Sequence, residues 1–145
     1  MIVADTGPLL AAADSGDEAH RLGAALIVRA GRDLVVPDAV AAEADSLIRR
    51  RVGSPVARAF LASLAAGKPR RVSLPASLLA RAVAIDRQYP HLDLGIVDAS
   101  VMALAEAEAC PILTFDFTDF RATRAATGPW RLLVSEASYL DAIRR

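Results

Sequence analysis

The stretch Leu94–Phe120, LGIVDASVMALAEAEACPILTFDFTDF, decides the fold. Its first half reads as a helix over Ile96–Ala109, and its second as a short buried strand over Ile112–Phe115. Each half carries an acid at the edge of its apolar run: Asp98 in the first helical turn and Asp116 just past the strand. An unpaired carboxylate beside a core is costly, so such a group is paired, protonated or metal-bound.

The same alternation runs through the rest of the chain. Met1–Ala4 is a buried strand ending at Asp5, followed by helices over Thr6–Ala13 and Asp17–Ala30. Leu34–Val36 is a strand, Pro37–Arg51 and Ser54–Ala66 are helices, and Arg71–Leu74 is a short strand. A helix over Pro75–Gln88 precedes the quoted stretch; a helix over Thr118–Ala126 and a strand over Arg131–Val134 follow it. Pro8 in a first turn and Gly31 after a last turn fit helix starts and stops. Strands alternating with helices predict one α/β domain over residues 1–145, its parallel sheet covered on both faces. Such sheets bind ligands beyond the carboxyl ends of their strands, where the strand order reverses. If the first and fourth strands are neighbours there, Asp5 and Asp116 face each other.

Two further acids point to the same end. Glu43 lies about two turns into the helix after the second strand, bordering a stripe of Val40, Ala44, Leu47 and Ile48. Asp98 opens the helix before the fourth strand. Singly, Asp5, Asp98 and Asp116 read equally well as helix caps. Jointly, four carboxylates at one end of a sheet repel and cannot all ionise unaided. A hard divalent cation, Mg²⁺ or Mn²⁺, resolves this with carboxylate and water oxygens. Thr6 and Thr114 are placed to orient carboxylates or a bound water, and alternation sets Thr114 on the same side as Asp116. Of two more acids near the rim, Asp119 reads as a solvated loop residue or helix cap, and Asp93 as a candidate for the site's periphery. Asp45 reads as solvated, and His20 and His91 as surface residues.

The bulk numbers narrow the rest. The sequence is 54% hydrophobic and 23% charged, so the chain is globular. Its 17 basic and 17 acidic residues cancel, so a polyanion would have to be met by a local patch. Arg49, Arg50 and Arg51, then Arg58, Lys68, Arg70 and Arg71, supply one. The single cysteine, Cys110, allows no internal disulfide and there is no Cys/His zinc spacing. The start lacks a basic, then apolar leader, and no apolar run nears the roughly 20 residues of a membrane helix. The expectation is a cytoplasmic protein that does not enter a membrane.

Three segments, IVADTGPLLAAAD, VVPDAVAAEADSLI and LGIVDASVMALAEAEACPILTFDFTDF, resemble the PIN-domain ribonucleases, specifically the VapC-type toxins of type II toxin–antitoxin pairs. They span nearly the whole chain in the expected order. The resemblance implies a five-stranded parallel sheet of order 3-2-1-4-5 flanked by helices on both faces. It implies a Mg²⁺- or Mn²⁺-dependent endoribonuclease acting on tRNA or rRNA, with Asp5, Glu43, Asp98 and Asp116 as its catalytic and metal-binding acids. It also implies a homodimer neutralised by a VapB-type antitoxin. Helices over Ala11–Ala30 and Ala39–Ala66 would offer the antitoxin groove, and those over Pro75–Gln88 and Ile96–Ala109 the dimer face. The sequence departs from the family where His91 replaces a common Asp, and where Phe117 and Thr118 stand in place of basic residues. Alternatives are a PIN nuclease of RNA processing outside a toxin pair, and a non-catalytic nucleic-acid-binding PIN module. A phosphoacceptor receiver domain would need an acidic pair after the first strand, and a haloacid-dehalogenase-like phosphatase an Asp where Gly7 stands.

Overall fold

The computed structural model describes residues 1–145. The central strand is β1 (Ile2–Ala4). It pairs in parallel with β2 (Leu34–Pro37) through Ile2–Leu34 and Val3–Val35, and with β4 (Ile112–Leu113) through Val3–Ile112 and Ala4–Leu113. β3 (Arg70–Val72) pairs with β2 at the far edge, giving the order β3-β2-β1-β4. Strands covered on both faces are apolar without alternation. Accordingly Val3, Ala4, Val35, Val36, Ile112 and Leu113 are wholly buried.

The expected fifth strand is reduced to one bridge. Leu132 stands beside Ile112 in parallel, held by Ile112 N–H to Arg131 O and Leu133 N–H to Ile112 O, both 2.8 Å. The segment is where the order 3-2-1-4-5 puts it, but the sheet has four strands. The cause lies in β4. After Leu113 the chain turns out of the sheet to begin the next helix, so Ile112 alone is left to pair on that side.

The helices are α1 (Thr6–Ala13), α2 (His20–Ala30), α3 (Asp38–Arg51), α4 (Ser54–Ala65), α5 (Ala76–Gln88), α6 (Gly95–Glu108), α7 (Phe117–Ala122) and α8 (Glu136–Ile143). The first six pack as consecutive pairs, and α3 also packs on α1 and α6. Gly23 sets the approach of α1 and α2, since a Cβ there would come 3.0 Å from the Pro8 carbonyl oxygen. α6 lies on β1 with Ala99–Ala105 all buried, which carries its first turn toward the carboxyl end of that strand.

Two helix boundaries differ clearly from expectation, and one helix is new. α2 begins at His20, because the Asp17 carboxylate instead accepts the Ala19 N–H at 2.8 Å in a preceding turn. α7 stops at Ala122, where the Thr123 hydroxyl donates to Asp119 O and accepts from the Trp130 ring N–H, each at 2.9 Å. α8 has no counterpart in the sequence reading; Ser135 caps it by accepting the Ser138 N–H at 3.1 Å. His20, expected at the surface, is half-buried with Nδ1 2.9 Å from Ala11 O. His91 is exposed. No helix is long and apolar enough to cross a membrane.

Candidate functional site

The register of β1 against β4 builds the site. Asp5 N–H continues the ladder onto Leu113 O at 2.9 Å, so Asp5 stands beside Thr114 just beyond both strands. The Thr114 hydroxyl donates to Asp5 Oδ2 at 2.7 Å and accepts the Asp116 N–H at 2.9 Å. One fully buried hydroxyl thus ties the two strand-end acids together. Asp5 Oδ1 accepts the Thr6 N–H at 2.8 Å, which starts α1. Each Asp5 oxygen therefore holds one protein donor and keeps lone-pair capacity for another partner. Thr6 Oγ1 is buried beside it without a hydrogen-bond partner.

Asp116 caps α7, its Oδ1 accepting the Asp119 N–H at 3.1 Å. That cap brings the Asp119 carboxylate to the site. Asp98, Asp116 and Asp119 each offer a carboxylate oxygen, and the three oxygens lie within 4.8 Å of one another. The sequence reading took Asp119 for a solvated loop residue or helix cap; the structure instead brings it to the site. Asp5 and Glu43 lie outside this trio. Glu43 is exposed, yet its charge bears on both Asp5 and Asp98. The structure does not bring Asp93 in: it is exposed in the loop before α6, with φ 50°, and its charge is not among those acting on Asp98.

The electrostatics are those of crowded acids. Burial raises the Asp5 carboxyl above its usual range, against the Thr114 and Thr6 hydrogen bonds and with Asp116 and Glu43 adding to the rise. Asp98 is pushed up to about 7, first by burial and then by the charges of Asp5, Asp116, Asp119 and Glu43. Asp119 is raised by burial and by Asp116. No arginine or lysine is bonded to any of these acids. The cluster therefore holds a proton at neutral pH or takes up a cation.

The arginines expected to meet RNA divide into two groups. Arg49 pairs with Asp45 at 2.8 Å, so Asp45 is not simply solvated. Arg71 pairs with Asp38, which Ser73 also contacts. Arg50, Arg51 and Arg70 are exposed without a salt bridge.

Comparison with known proteins gives concordant matches. The PIN domain family profile matches residues 2–125. The ribonuclease VapC26 of Mycobacterium tuberculosis is 33% identical over 128 residues, spanning 88% of this chain and 95% of its own. The crystal structure of Mycobacterium tuberculosis VapC20, described as a sarcin–ricin loop cleaving toxin, matches with a TM-score of 0.77. That match covers 89% of this chain and 100% of the other at 22% identity, a likeness of fold.

Proposed function

Because the chain belongs to the PIN domain family, we propose that it is a metal-dependent endoribonuclease acting as the toxin of a type II toxin–antitoxin pair. The observation that carries this reading is the convergence of Asp98, Asp116 and Asp119 within 4.8 Å, with Asp5 hydrogen-bonded into the same end of the sheet. The ribonuclease name of the 33%-identical relative supports the reaction.

The donor set fits Mg²⁺ or Mn²⁺. It is all oxygen, it lacks histidine and cysteine, and burial together with neighbouring acids holds Asp5, Asp98 and Asp119 above their usual range. Asp98, Asp116, Asp119 and Asp5 would hold the ion or ions, and Glu43, whose charge bears on Asp5 and Asp98, would complete the acidic set. The chemistry such an ion would supply is a lowered pKa for a bound water and an offset to charge on a phosphoryl oxygen. Glu43 would hold a second ion, or orient or deprotonate the attacking water. That oxygen bonds to phosphorus as the P–O3′ bond breaks, leaving a 5′-phosphate and a 3′-hydroxyl that takes a proton from solvent. The Thr6 N–H and the Thr114 hydroxyl orient the Asp5 carboxylate, and Thr114 also anchors the main chain at Asp116. Asp93 has only a peripheral place in this scheme. Arg50, Arg51 and Arg70 are the free cations for the RNA backbone, while Arg49 and Arg71 would first release their acids; exposed pairs of that kind cost little to break.

A VapB-type antitoxin, a cytoplasmic site of action and a tRNA or rRNA substrate belong to the same reading. So does a homodimer. Leu79, Val83 and Ile96 are 42%, 44% and 61% exposed on the α5–α6 pair, an apolar surface suited to a second copy.

The test is incubation of the purified chain with total tRNA and with rRNA. Discrete fragments ending in 5′-phosphate are expected. RNA retained uncut under conditions where metal binds would favour the non-catalytic module. Thr114→Val should lower cleavage and Mn²⁺ affinity by about 10–100-fold, because both the Asp5 and Asp116 contacts pass through that hydroxyl. Wild-type values for both would remove Thr114 from the mechanism.

A further inference from the structure

The chain after residue 125 lies outside the region matched to the family. It ends in α8, a helix that buries none of its own residues. One side chain of α8 nonetheless packs on the segment that carries Asp116. The Tyr139 ring centroid is 4.8 Å from that of Phe115 and 5.4 Å from that of Phe117, with tilts of 42° and 56°. These two phenylalanines flank Asp116 in the chain. Phe117 is buried, and Phe115 lies against the first turn of α1, where a Cβ on Gly7 would meet the Phe115 Cβ at 3.8 Å. A second link runs through Arg121, which donates to Phe117 O at 3.2 Å and pairs with Glu136 at the start of α8 at 2.5 Å.

The segment bearing Asp116 needs such support. Its strand ends at Leu113, and the bridge to Leu132 stops at Ile112. Beyond Leu113, residues 114–117 have no strand partner on their outer side, while repulsion among Asp5, Asp98, Asp116 and Asp119 drives Asp116 away from the cluster. Ligand oxygens must be held within about 0.5 Å to bind an ion well. A ring stack supplies that restraint without adding charge. The Tyr139 phenol is kept neutral, since burial and the acids Asp17 and Glu18 raise it above its usual value.

We propose that Tyr139 is a positioning residue: its ring, packed on Phe115 and Phe117, fixes the segment that places Asp116 and, through the α7 cap, Asp119. The inference rests on the acidic cluster being a metal site, as proposed above.

The experiment compares full-length wild type, Tyr139→Ala and Tyr139→Phe. Mn²⁺ affinity is measured by calorimetry, amide exchange on the metal-free proteins, and kcat and KM on RNA. Tyr139→Ala should bind Mn²⁺ roughly tenfold more weakly, with kcat lowered and KM unchanged. The Asp116 and Asp119 amides should exchange faster while those of β1 and β2 keep their protection. Tyr139→Phe should restore every value. Wild-type Mn²⁺ affinity and kcat in Tyr139→Ala would overturn the inference. So would a change in KM alone, protection lost throughout the sheet, or a Tyr139→Phe protein that behaves like Tyr139→Ala. A wild type that binds no Mn²⁺ would overturn the metal-site reading and this inference with it.

Discussion

Replacing Asp98 by Asn is expected to lower RNA cleavage by about a thousandfold or more while making the metal-free protein harder to melt above pH 7. The two effects have one cause. A metal ion contributes several kcal/mol of charge stabilisation in the transition state, and each ~1.4 kcal/mol is tenfold in rate. Losing a ligand that faces two other carboxylates within 4.8 Å removes much of that contribution. The same carboxylate is a burden to the empty fold. Its pKa is raised from 3.8 to about 7 by burial and four neighbouring acids. An Asn at this position cannot ionise, so it escapes that repulsion. At pH 5 the folded Asp98 is protonated while the unfolded chain has already lost most of that proton, so the variant should keep only part of the advantage it shows at pH 8. Kinetic assays on RNA, with thermal melts at pH 5 and pH 8, check both halves. A variant that cuts normally, or that is less stable at pH 8, would contradict the assignment.

Saturating Mn²⁺ or Mg²⁺ should raise the melting temperature strongly at pH 8 and little at pH 5. Between about pH 4 and pH 7 the folded state holds a proton on Asp98 that the unfolded chain has lost. Stability without metal therefore falls as pH rises through that window. The raised pKa values of Asp5 and Asp119 act in the same direction. A cation binds the ionised carboxylates, so its affinity rises across the same window and levels off above it. At a hundredfold excess over Kd the gain is about 2.7 kcal/mol, or roughly 8 °C for a domain of this size. Melts with and without chelator across pH 5–8 measure it. A metal shift that is equal at both ends would place the ion on groups of ordinary acidity, away from Asp98.

The parts of this arrangement set by local pattern were legible in the sequence. Buried parallel strands read as short apolar runs, and both acids at strand ends, Asp5 and Asp116, fall where those runs stop. Asp98 was legible because it interrupts the apolar face of α6, a helix whose next turns are buried outright. What depended on tertiary context was not. Asp119 looked like a cap or a solvated residue; only the Asp116 cap, which turns the first coil of α7 back on the cluster, reveals it. Arg131–Val134 has the composition of a strand, but β4 leaves the sheet too early to pair with more than Leu132. α7 ends at the Thr123–Trp130 contact, which joins residues seven apart across a turn. α8 was passed over, although Ser135 and Ser138 carried the signal of its cap. Asp93 was an acid in the right neighbourhood whose loop holds it out in solvent.

The measurement that bears most directly on the metal-dependent nuclease is a Mn²⁺ titration of wild type and Asp98→Asn. Bound metal and cleavage of tRNA and rRNA are followed together, and chelator is added at the end. The account predicts that binding and discrete cleavage rise together in wild type, vanish with chelator, and are both lost in Asp98→Asn. Cleavage that survives excess chelator, or an Asp98→Asn protein that cuts at the wild-type rate, would contradict it.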